Sequence, residues 1–197
     1  MAKKENPSTE IPRMILSDQA AWEHWLEKQH DKSKGIWLQI AKKGSGQNSV
    51  TYQEALDSAL CFGWIDGQKL PLDEIYWLQK FTPRSPRSIW SKRNRDRALS
   101  LQEQGRMAPA GLAEIDRAKA DGRWDAAYDS QRTAEIPGDL QEALDKNEKA
   151  AGFFATLNRV NRYAILFRIQ TAKKAETRVK KIAQFVAMLA REEKIYP

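Results

Sequence analysis

The chain has 197 residues, 41% of them apolar and 30% charged, with a formal net charge of +7 at pH 7. That length suits one large domain or two small ones with a shared core, and seven Trp, six Phe and five Tyr exclude extended disorder. A single cysteine, Cys61, excludes an internal disulfide; no apolar segment follows Lys3 and Lys4, no run is long enough for membrane insertion, and the expected compartment is the cytoplasm.

Residues 1–16, with Pro7 and Pro12 and no periodicity, read as a flexible tail. Ser17 suits the N-cap of a helix from Asp18 to about Gln29, with Trp22, Trp25 and Leu26 on one face. Ile36, Leu38 and Ile40 alternate with Trp37, Gln39 and Ala41, the period of a strand, and Lys42-Lys43-Gly44-Ser45-Gly46 is a basic turn. Thr51 and Glu54 form a capping box for a helix from Tyr52 to about Cys61. Gly63 and Gly67 bracket a short strand, Trp64-Ile65-Asp66, and the turn at Leu70–Asp73 leads to a second strand, Ile75 to Phe81, as an antiparallel hairpin.

From Pro83 and Pro86 onward the pattern is helical. One helix is predicted from Ser91 to Gln104, stopped by Gly105, and another from Pro109 until Gly122. Pro137-Gly138 is the clearest internal boundary. Beyond it Leu140 and Leu144 fit one short helix, and Ala150, Phe153, Phe154 and Leu157 a second. Val179, Ile182, Val186 and Leu189 place one apolar face on the last helix. The fold class is α+β: a small antiparallel sheet flanked by helices over residues 17–136, then a helical module over 137–197.

The strings Thr51–Asp57 and Ala59–Gly67, then Phe81–Arg84, Ser88–Ser91 and Asn94, resemble the YdeI/OmpD-associated, bacteriocin-protection family. Gly105-Arg106-Met107, Gly111, Gly122-Arg123-Trp124 and Ala127-Tyr128 fit it too, and so do Pro137, Ala172-Lys173, Glu176-Thr177-Arg178 and Ile182. The resemblance spans most of the chain from Ser17 and implies kinship with the YjbR/CyaY-like superfamily, whose core is a small antiparallel sheet with helices. It implies no reaction and no cofactor, and its names point to a stress or bacteriocin-resistance role.

Charge is uneven. Residues 80–106 hold 8 basic against 2 acidic residues and residues 139–197 hold 12 against 7, while the rest is slightly acidic. The leading candidate site is therefore anion-binding: Arg84, Arg87, Ser88, Trp90, Ser91, Lys92, Arg93, Asn94, Arg95 and Arg97. Cations neutralise phosphates, short hydroxyl and amide side chains bond to their oxygens, an indole stacks on bases, and a helix start at Ser91 offers backbone N–H groups. Nucleic acid or another polyanion is the expected partner; the competing reading is a solvated basic helix with Trp90 in the core.

A second candidate, for a small-ligand or enzymatic pocket, is Trp64, Asp66 and Gln68 on one strand face, with Arg84 and Ser88 nearby. Cys61 reads as a buried inert thiol, and the stripe Glu23, Glu27 and Asp31 as a solvated face without the convergence a metal needs. Lys174, Arg178 and Lys181 extend the basic surface on the last helix, whose apolar residues offer a surface to a protein partner. The sequence carries no GxGxxG, P-loop, HExxH or CxxC pattern.

Overall fold

The structure, a computed structural model, describes residues 11–197, so the tail expected over residues 1–16 lies, for residues 1–10, outside the described residues. The chain divides into two compact units, one of residues up to Ser88 with Asp96–Gly122, the other of Ile89–Arg95 with Arg123–Pro197.

The first unit is built on a four-stranded sheet of β1 (Arg13–Ile15), β2 (Ile36–Ala41), β3 (Trp64–Pro71) and β4 (Tyr76–Pro83), in the order β1-β2-β4-β3. β2–β4 and β3–β4 are antiparallel as expected, but β1 pairs with β2 in parallel, so the sheet is mixed. Parallel neighbours need a crossover, and helix α1 (Gln19–Gln29) supplies it. At three residues β1 is too short for a period-two signal, which is why the sequence does not announce it. Asp18, rather than Ser17, caps α1: its carboxylate accepts from the Ala21 N–H at 2.8 Å, while the Ser17 hydroxyl donates to Asp18.

Ile36, Leu38 and Ile40 are buried as their alternation predicts and pair with Phe81, Gln79 and Trp77 of β4. Helix α2 (Tyr52–Cys61) begins at the predicted capping box, with Thr51 and Glu54 each bonding the other's backbone N–H. α1 is tied to α2 by the buried Trp22, whose indole N–H donates to the Ala55 carbonyl at 3.0 Å. Trp22 also stacks on Trp25 at 5.2 Å, meets Trp64 edge-on at 6.3 Å and lies tilted against Phe81 at 5.7 Å. β3 runs past Gly67 to Pro71 because the register slips between Asp66 and Lys69, a bulge at the residue with no side chain to pack.

Helix α3 (Lys92–Glu103) has its first residues in the second unit and the rest in the first. Helix α4 (Pro109–Ala120) starts at Pro109 as predicted. It lies so close to the end of α2 that a Cβ on Gly111 would stand 2.2 Å from the Cys61 carbonyl oxygen.

The second unit holds α5 (Gly138–Asp145), α6 (Glu148–Thr156), α7 (Arg159–Gln170) and α8 (Ala175–Ala190) around Leu140, Leu144, Phe154, Ile165, Ile169, Ile182, Phe185 and Leu189. α7 is absent from the sequence reading, because Arg159, Arg162 and Arg168 interrupt its apolar pattern, although Asn158 caps it by accepting from the Asn161 N–H at 2.8 Å. Asn161 is itself buried and holds the chain end by donating to the Tyr196 carbonyl and accepting from the Tyr196 N–H. Leu157 is buried but lies just beyond α6. Among the described residues no helix is long and apolar enough to cross a membrane.

Gly111→Ala is expected to cost about 3 kcal/mol, the upper end for overpacking against backbone. Urea denaturation checks this through the midpoint, and an unchanged midpoint would contradict the close packing of α4 on α2.

Candidate functional site

The predicted basic segment is shared between the two units. In the first unit Arg84 is buried, and its backbone N–H donates to the Gly63 carbonyl at 3.0 Å. Ser88 closes a local turn, its hydroxyl accepting from the Ser85 N–H at 2.9 Å, and Arg87 is exposed on that turn. Arg97 grips Asp57 through both Nε and NH2, the latter at 2.6 Å, and reaches the Gln53 side-chain oxygen at 3.2 Å. A bidentate pair of this kind joins α3 to α2, so the Arg97 charge is compensated by a carboxylate.

In the second unit Trp90 is 1% exposed and meets the edge of Trp124 at 4.8 Å. It is a core residue, and the stacking expected of it has no exposed ring face to use. Ser91 caps α3 by accepting from the Asn94 N–H at 3.1 Å, and the Lys92 N–H donates to the Tyr128 carbonyl at 2.8 Å. Two of the amides that a helix start offers to an anion are thus engaged. The Lys92 ammonium bonds Asp129 at 2.7 Å. Burial pushes the Asp129 carboxyl up, but hydrogen bonds from Lys92 and Gln170 and the charges of Lys92 and Arg95 outweigh it and hold the group below the usual aspartate range. Arg93 is exposed and Arg95 half-buried.

The second candidate is also largely built into the fold. Trp64 is buried and its indole N–H donates to the His30 carbonyl at 3.1 Å. Asp66 accepts from the Tyr52 hydroxyl at 2.9 Å. The bulge after Asp66 takes Gln68 off their face: Lys69 pairs with Gln79 and sets its ammonium 4.2 Å from the centre of the Trp77 ring. Strict alternation, which put Gln68 beside Asp66, fails at a bulge.

Burial pushes the Cys61 thiol up to about 11 despite the lowering charge of Arg106, which suits an inert core thiol rather than a nucleophile. Glu23 accepts from Gln19, Ser58 and Arg106, and among the described residues no group of three or more possible ligands could hold a metal ion.

Three concavities are formed, two of them by segments that the sequence marks as a basic turn and as an apolar helix face. A cleft of about 430 Å³ in the second unit brings Lys92 and Arg178 together with Asp129, Glu135 and Gln170. Its charges are balanced, since Arg178 also grips Asp139 at 2.6 and 2.8 Å. That bond from Arg178 holds the Asp139 carboxyl below the usual aspartate range. An apolar groove of about 510 Å³ runs between α5 and α8, lined by Ala143, Val179, Ile182, Ala183, Val186 and Ala187. Val179, placed by its spacing on one apolar face with Ile182, Val186 and Leu189, is 66% exposed; Ile182, Phe185 and Leu189 form the buried face. In the first unit the basic turn after β2 encloses about 500 Å³ with Tyr52 and Trp77.

Residues 14–114 match the family described as Domain of unknown function (DUF8412), and residues 133–192 match the family described as Bacteriocin-protection, YdeI or OmpD-Associated. The YdeI/OmpD-associated resemblance thus holds over the C-terminal helices, whereas the Ala59–Gly67 string falls within the other family's span. No curated protein and no solved structure matches the chain.

Proposed function

The chain belongs to the DUF8412 domain family, and from that premise we propose that it is a non-enzymatic binding protein whose C-terminal helices hold a protein partner. The observation that carries this reading is the second apolar face of α8. Ile182, Phe185 and Leu189 complete the core, yet Val179, Ala183 and Ala187, spaced four residues apart, line a groove with Ala143 of α5. A helix in a small globular unit needs one apolar stripe. A second stripe of small side chains lets another backbone come close, the geometry of an amphipathic helix laid into a groove. The groove lies in the span described as Bacteriocin-protection, YdeI or OmpD-Associated, a description that supports reading the adaptor as part of a resistance pathway. A cytoplasmic setting and the YjbR/CyaY-like kinship belong to this proposal and rest on the sequence reading. A photo-reactive side chain at Val179, illuminated in cells, is expected to give one discrete adduct, removed by Ala183→Glu with an unchanged thermal midpoint. No adduct, or one that survives Ala183→Glu, contradicts the reading.

A second reading, an anionic partner such as nucleic acid, is favoured by the exposure of Arg87 and Arg93 in a segment of 8 basic and 2 acidic residues. Its affinity for a short duplex should fall steeply with salt, with a shallower slope in Arg87→Ala/Arg93→Ala. Salt-independent binding, or none at low salt, argues against it.

A further inference from the structure

We propose that the turn between β2 and α2 is a binding site for a nucleotide: a phosphate group held by Lys42 and Lys43 and its planar base set against Trp77 and Tyr52. The cavity of about 500 Å³ is of the size that takes a small ligand. Among the described residues that line it none is acidic, whereas the cleft of similar size in the second unit carries Asp129 and Glu135 beside its cations. The contrast matters because a lysine already matched by a carboxylate has little left for a phosphate, as Lys92 shows. Among the described residues the nearby carboxylates, themselves outside the cavity lining, accept hydrogen bonds. Asp66 takes the Tyr52 hydroxyl, Glu54 caps α2 through Thr51, and Asp73, whose charge also acts on Lys42 from outside the cavity lining, accepts from the Ile75 and Tyr76 N–H groups.

The aromatic wall is fixed. Trp77 pairs with Ile40 in the sheet, stands 6.1 Å from Tyr52, and carries the Lys69 ammonium 4.2 Å from its ring centre. The loop itself is anchored at its far end, where the Ser49 hydroxyl accepts from the Ala41 N–H at 2.8 Å and donates to the Val50 carbonyl. Between these anchors Gly44 and Gly46 adopt φ of +82° and +73°, so the backbone doubles back with no side chain between it and a ligand. Cations on a glycine turn beside aromatic rings are the joint requirement of phosphate and base. Neither ring alone nor lysine alone selects a nucleotide.

The site is independent of the α5–α8 groove and of Arg87 and Arg93. Calorimetric titration of the full chain with ADP is expected to give saturable binding. Lys42→Ala/Lys43→Ala, both on exposed positions, should weaken it at least about tenfold without altering the thermal midpoint. Pyrophosphate, lacking the base, should bind more weakly than ADP. A short oligothymidine tells a free nucleotide from one within a strand: binding of the strand alone, lost in Lys42→Ala/Lys43→Ala, supports the site and assigns its ligand to single strands. Failure of both ADP and the strand to bind overturns the proposal. So does binding that follows Arg87→Ala/Arg93→Ala instead, or pyrophosphate binding as tight as that of ADP.

Discussion

The indole of Trp22 is the interaction on which the first unit depends. Its N–H reaches out of α1 to the Ala55 carbonyl of α2, and its ring touches Trp25, Trp64 and Phe81. One side chain therefore locks two helices to each other and to the sheet face that presents Ile36, Leu38 and Ile40. Burying a ring of this size contributes about 4–6 kcal/mol from area alone. With α2 held there, Tyr52 at its start is set beside Trp77, and the basic turn is closed between two fixed points. The candidate nucleotide site is thus a by-product of how the core is assembled.

Charge tells a parallel story. The sequence places its cations in two blocks, and the natural expectation is a continuous anion surface. The fold instead gives Arg97 to Asp57, Lys92 to Asp129, Arg106 to Glu23 and Arg178 to Asp139. Each partner is distant in sequence, so no count of residues in a window could have predicted the pairing. The lysines of the turn after β2, which stand in a stretch of the chain that is slightly acidic overall, line a cavity to which no carboxylate among the described residues contributes. Local geometry, not regional net charge, decides where an anion fits.

Much of the fold was legible because its signals are short and local. The Thr51–Glu54 box, the alternation from Ile36 to Ala41 and Pro109 at the start of α4 each point to the element that forms. What was missed depends on contacts from elsewhere: β1 exists through its pairing with β2, α7 through its packing in the helical unit, and the bulge in β3 through register with β4. The sites follow the same rule. Trp90 and Trp64, candidates for facing a ligand with core packing as the competing reading, are core residues, whereas Val179, grouped by spacing with Ile182 and Leu189, is exposed and lines a groove. An aromatic or apolar residue in a sequence does not say whether it will be buried, and Ile15 and Val160 of this chain are exposed.

Trp22→Phe tests the central dependence most directly, because it keeps an aromatic ring while removing the N–H donor and part of the packing. Chemical denaturation should show a loss of about 2–4 kcal/mol with an unchanged denaturant slope. A variant within about 0.5 kcal/mol of the wild type would contradict the account, and the joining of α1, α2 and the sheet would then have to rest on other contacts.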